Sequence, residues 1–138
     1  MLRQLGPAFY DSGMAIRVVR LGSKREPGEG LRIGTVRRPP RGVPKSQQAS
    51  GNWYDVWLPN LAPSAELMAA TGIVADKSQW KQFERRYRAE LKRPEQQHLL
   101  NLLVALSKQT NLSVGCYCED ESRCHRSILK DVLRSLGA

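Results

Sequence analysis

Residues 112–131 read LSVGCYCEDESRCHRSILKD, and a change of hydrophobic period inside this stretch decides the fold. Residues 112–118 are short, uncharged and preceded by the turn-prone Thr110 and Asn111, which predicts a strand. Side chains alternate along a strand, so Leu112, Val114, Cys116 and Cys118 are expected on one face. Glu119, Asp120, Glu121 and Ser122 then make a polar turn, with Ser122 as the expected helix N-cap. Beyond it, Ile128, Leu129, Val132, Leu133 and Leu136 recur at helical spacing. The helix should lay this stripe on the sheet and end near Gly137.

Extending the stripe back one turn reaches Cys124 and His125, which therefore aim inward, towards the strand end that carries Cys118. Arg123, Ser127, Lys130 and Arg134 fall on the outer flank, with Arg126 free to reach round the first turn. Such a unit places reactive groups at the carboxyl edge of a sheet, where open α/β folds bind ligands. A helix start also offers unpaired N–H groups and partial positive charge, which favour anions and lower a nearby thiol pKa.

Three chemistries fit these residues. Structural zinc would use Cys116, Cys118, Cys124 and His125, which have the right donor atoms. Their C-x-C and adjacent Cys-His spacing departs from the usual C-x2-4-C pairs, so no metal is favoured and zinc stays an option. A reactive thiol is the second. The run from Cys118 through Arg123 to Ser127 resembles the loop of rhodanese-like sulfurtransferases, although three acids here outnumber Arg123 and Arg126. An acidic loop disfavours a thiolate or bound phosphate unless positive charge arrives from elsewhere. The third is packing, since buried free cysteine is common. Three cysteines, a histidine and two arginines within eleven positions make a functional site the better reading.

At 138 residues the chain suits one domain spanning residues 1–138. No apolar run approaches the roughly 20 residues that span a membrane, and residues 1–17 lack a secretory hydrophobic region. Three cysteines in one short segment argue against a disulfide scaffold and for a reducing cytoplasm. The net charge is +9, and residues 20–45 carry eight basic residues against Glu26 and Glu29. That concentration suits a phosphate-bearing partner, either a small molecule or nucleic acid. No membrane partner is expected, and the oligomeric state is left open.

Residues 1–13 read as a loose tail. Residues 15–21 are β-branched enough for a central strand, and 31–36 alternate as a second. Residues 37–52 form a basic, Pro/Gly-rich flap whose Arg37 and Arg41 are placed to roof the cysteine site. Trp53, Tyr54, Val56, Trp57 and Leu58 read as an extended core segment. A short helix follows Ser64. A longer one starts at Ser78, with Trp80, Phe83, Tyr87 and Leu91 along one face and basic residues on the others. The leucine-rich helix from Glu95 is apolar nearly all round and should be buried. Alternating strands and helices predict a small α/β domain, with a sheet mostly parallel and Rossmann-like, covered by packed helices.

Four runs, PRGVPKS at 40–46, WYDVWLPNLAPS at 53–64, FERRYRAEL at 83–91 and GCYCEDESRCHRS at 115–127, resemble domain-of-unknown-function family 488, the YeaO-like proteins. The likeness is to its cysteine-bearing branch and spans nearly the whole chain. It implies an intracellular α/β domain and no particular reaction.

The functional expectation is binding of a phosphate-bearing ligand, with thiol chemistry performed on it. Cys118 or Cys124 would be the nucleophile and His125 the general acid or base. Glu119 would orient an arginine or accept a proton, and Arg37, Arg41, Arg123, Arg126 and Ser127 would bind the anion. The alternative is a non-enzymatic nucleic-acid-binding module with a zinc-stabilised cysteine cluster. Rhodanese-like sulfur transfer is the third reading.

Overall fold

Residues 112–116 form an inner strand of a parallel sheet. A computed structural model describes residues 16–71, 76–118 and 124–138. The strands are β1 (Ile16–Arg20), β2 (Leu31–Gly34), β3 (Val56–Trp57) and β4 (Leu112–Cys116), in the order β1-β4-β2-β3 with every pairing parallel. The helices are α1 (Ala65–Thr71), α2 (Lys77–Leu91), α3 (Pro94–Ser107) and α4 (His125–Ser135). The expected α/β architecture with a parallel sheet and packed helices is therefore what the chain adopts.

All five residues of β4 are buried, because a strand flanked on both edges and covered on both faces has no solvent side. Gly115 follows from the same crowding. A Cβ there would sit 2.7 Å from the Val19 carbonyl oxygen and 2.8 Å from Leu21 Cδ2.

On one face Ile16 pairs with Leu112, and Val18 and Ile33 both pair with Val114. This ridge packs with Phe83, Tyr87 and Leu91 of α2, Leu100 and Leu103 of α3, and Ile128, Leu129 and Leu133 of α4. Burying each such side chain contributes about 1.5–3 kcal/mol. Of the stripe expected of α4, Ile128, Leu129 and Leu133 are buried and Val132 partly so, while Leu136 is exposed just past the helix end; α4 rests on β1, β4 and α2.

The opposite face carries Arg32, fully buried. Its Nε and Nη2 donate to the Glu29 carboxylate at 2.7 and 2.9 Å, and its Nη1 donates to the carbonyls of Ser23 and Asn52. Ser113 Oγ donates to the same carboxylate at 2.8 Å. Burial, the largest single influence, pushes the Glu29 pKa up. The bonds from Arg32, Ser113 and the Glu26 backbone, with the charge of Arg32, outweigh it and hold the group at about 2. Arg32 is thus committed to the fold, and Arg25 pairs with Asp55 at 2.9 Å. Two of the eight basic residues of the run 20–45, Arg25 and Arg32, are therefore paired within the fold.

Four local expectations change. β1, expected as a central strand, lies at one edge of the sheet. Val56 and Trp57 are each 42% exposed, since β3 is the other edge strand, while Tyr54 alone of that run is buried. Leu102 and Leu106 of α3 are exposed, because α3 packs beside α2 and turns only Leu100 and Leu103 fully inward. The flap expected at 37–52 contains a 3-10 turn at Lys45–Gln47. Its far end is tied down by Arg25 to the Ala49 carbonyl and by the Gly22 N–H to the Asn52 carbonyl.

Candidate metal centre

The end of β4 and the start of α4 bring two sulfurs and an imidazole together. Ligand atoms of Cys116, Cys124 and His125 all lie within 4.8 Å of one another, and the three residues are buried. Cys116 is placed by the last paired position of β4, opposite Arg20. Cys124 is the N-cap of α4, with no side-chain capping bond, and His125 is the first helical residue. Ser122, the expected N-cap, lies outside the described residues.

Cys116 and Cys124 are joined as a disulfide in this structure, with their Cα atoms 7.8 Å apart. A disulfide ordinarily spans about 4.4–6.8 Å between Cα atoms. This wider backbone separation suits two ligands converging on a common centre better than a direct bridge.

His125 shows the orientation a ligand needs. Its Nε2 lies 2.7 Å from the Thr35 carbonyl oxygen. A carbonyl only accepts, so Nε2 carries the proton and donates, and the Nδ1 lone pair is left facing Cys124 Sγ at 3.9 Å. Metal-bound histidines are held in this way, one nitrogen towards the ion and the other N–H towards a carbonyl or carboxylate. Burial lowers the His125 pKa; the Thr35 bond opposes that and the Arg126 charge adds to it, leaving it at about 4. The ring is therefore neutral at neutral pH, the state that ligates. Tyr87 fixes its plane by an edge contact, centroids 5.7 Å apart.

Arg126 is buried as well. Its Nη1 donates to the Val19 carbonyl at 3.1 Å and lies 3.9 Å from Cys116 Sγ, while its Nε has no partner among the described residues. Among the described residues no carboxylate pairs with this guanidinium.

The other expected site residues are distributed differently. Cys118, two residues beyond the last paired position, is exposed and stands outside the trio. Cys116, expected only as a zinc ligand, takes the place beside Cys124 that Cys118 was expected to fill. Arg37 donates to the carbonyls of Ala62 and Pro63 and lines a cavity of about 160 Å3 with Ser64, Glu90, Arg93 and Glu95. Arg41 is exposed on the flap. Neither arginine is seen to roof the cysteines, although the Tyr117 hydroxyl ties the flap to the end of β4 by donating to the Arg38 carbonyl at 2.8 Å. Ser127 Oγ donates to the Cys124 carbonyl at 2.8 Å, so it braces the helix start. Glu119 and Arg123 lie outside the described residues.

Sequence reasoning missed Thr35, whose part is played by a main-chain carbonyl with no side-chain signal. The choice of Cys116 over Cys118 turns on where the sheet pairing stops, at Cys116, which the sequence does not mark.

No helix among the described residues is long and apolar enough to cross a membrane. No solved structure matches this chain. The chain is 32% identical over 124 residues to "Uncharacterized protein YeaO" of Escherichia coli strain K12, covering 89% of this chain and 100% of that protein. Residues 16–137 match the family described as "Active DUF488-N3 subclade". Fold, cysteine-bearing site and similarity agree: the chain belongs to domain-of-unknown-function family 488, within its N3 subclade.

Proposed function

We propose that this chain is a nucleic-acid-binding module in which a zinc ion, held by Cys116, Cys124 and His125, pins the start of α4 to the end of β4. The observation that carries the reading is the convergence of these three donors within 4.8 Å, with the imidazole already oriented by Thr35. Thiolate and neutral imidazole are the donors zinc prefers, at about 2.3 and 2.0 Å in a tetrahedral site. Zinc would bind the reduced pair, so the Cys116–Cys124 disulfide has to be reduced before the ion enters.

The nucleic-acid part rests on charge. The chain carries +9, and α2 exposes Lys77, Lys81 and Arg85 at four-residue spacing along a shallow groove shared with Ser78 and Gln82. Among the described residues no acid lines that groove, unlike the neighbouring stretch where Glu84 pairs with Arg88. Residues three or four apart share one helix face, so these three cations present a continuous stripe to a phosphate backbone.

A second reading, a thiol enzyme acting on a phosphate-bearing ligand, is favoured by Arg126 beside Cys116 and by the word "Active" in the subclade's description. Elemental analysis of reduced protein purified without chelator separates the two. One zinc per chain supports the module; metal-free protein in which Cys116 alkylates readily supports the enzyme. Transfer of cyanide-labile sulfur from Cys118 would instead point to a sulfurtransferase.

A further inference from the structure

We infer that the cavity beyond the carboxyl ends of β2 and β3 binds a small zwitterion, an α-amino acid with a short aliphatic side chain. This goes beyond the metal and nucleic-acid reading and does not rest on it. The cavity measures about 160 Å3. That is room for roughly five waters at about 30 Å3 each, and less than the roughly 300–1,000 Å3 that holds a drug-sized ligand. Arg37 lies just past β2 and Pro59 just past β3, which puts the cavity at the sheet edge where α/β folds bind ligands. Its other wall is the turn from α2 into α3, with Leu91, Arg93 and Glu95.

The lining has an apolar part and a charged part. Pro59, Ala62 and Leu91 supply the first, with Ala62 and Leu91 buried. Arg37, Arg93 and Glu95 supply the second and are exposed, so a ligand reaches them from solvent. No salt bridge joins these charges among the described residues. Neutral partners hold two of them instead. Arg37 donates through Nε and Nη2 to the carbonyls of Pro63 and Ala62, and its Nη1 makes no bond among the described residues. Glu95 Oε2 accepts from Asn60 Nδ2 at 2.9 Å, and its Oε1 accepts nothing among the described residues. The Arg93 guanidinium has no bond there either. Glu90, the remaining charged group of the lining, is spent, because both its oxygens accept from Ser64.

Two guanidinium donors and one carboxylate acceptor are thus left facing one small space. They complement a ligand that carries a carboxylate for the arginines and an ammonium for Glu95, with its side chain on Pro59, Ala62 and Leu91. A bare phosphate would meet Glu95 with no donor to answer it. Groups already held apart by the fold also lower the ordering cost of binding.

Isothermal titration calorimetry of the full-length chain with L-valine tests this. Wild type should bind L-valine saturably, and should bind N-acetyl-L-valine, which lacks the ammonium, and L-valinamide, which lacks the carboxylate, each about ten- to hundredfold more weakly. Arg93→Gln should weaken L-valine by a similar factor and leave L-valinamide unchanged. Glu95→Gln should weaken L-valine and leave N-acetyl-L-valine unchanged. No saturable binding of L-valine would overturn the inference. So would N-acetyl-L-valine or inorganic phosphate binding as tightly as L-valine, since the ammonium would then count for nothing. The three wild-type titrations decide the matter even where a variant folds poorly, and none of them depends on bound metal.

Discussion

The Nε2–H of His125 donates to the carbonyl oxygen of Thr35 at 2.7 Å, joining the first residue of α4 to the chain just beyond β2. This one bond fixes the tautomer and turns Nδ1 towards the sulfurs, so His125 is expected to be a metal ligand. His125→Ala should weaken zinc binding by at least about a hundredfold, since even the partners behind a ligand are worth 10–100-fold. Competition with a chromophoric chelator measures it, and unchanged affinity would remove the imidazole from the site.

The three cysteines should separate by reactivity and by metal retention. Cys118 is exposed, whereas Cys116 and Cys124 are each 1% exposed. Brief alkylation of native reduced protein, mapped by mass spectrometry, should modify Cys118 first. Cys118→Ser should keep its zinc, while Cys116→Ser or Cys124→Ser should lose it; equal labelling of all three would contradict the buried pair.

Acid stability should follow Glu29. Its carboxyl is held at about 2 against an ordinary 4.5, so the folded state binds the proton less tightly than the unfolded one. The resulting stability, about 3 kcal/mol, is complete above the ordinary carboxylate range and is lost as pH falls from about 5 towards 2. Glu29→Gln should flatten that dependence in urea unfolding. It should also cost about 3–5 kcal/mol at neutral pH, because Arg32 is left buried without its partner.

Much of this architecture is legible in the sequence for a simple reason. The uncharged run Leu112 to Cys116 and the helical stripe from Ile128 each bury a periodic face, and periodicity survives in sequence. Arg32 was not legible, because a buried arginine and a solvated one look alike until Glu29 and Ser113 are seen to meet across the sheet. The site was half legible. The cluster of Cys124, His125 and Arg126 stands out by density, yet its geometry depends on a carbonyl at Thr35, ninety residues away. The choice between Cys116 and Cys118 turned on where pairing stops, and composition does not show that.

Nucleic-acid binding should be electrostatic and centred on α2. For a duplex probe, Lys81→Ala with Arg85→Ala should lower the slope of log affinity against log salt by about two, near one per lost phosphate contact. Fluorescence anisotropy over a salt series checks this. An unaltered slope would move the interface off α2.

The central claim is that two sulfurs and one imidazole hold a single ion. X-ray absorption at the zinc edge of reduced, chelator-free protein reads that shell directly. The account predicts two sulfurs at about 2.3 Å and one nitrogen at about 2.0 Å, with a lighter fourth atom. A shell of oxygen and nitrogen alone, or protein with no bound zinc, would contradict it.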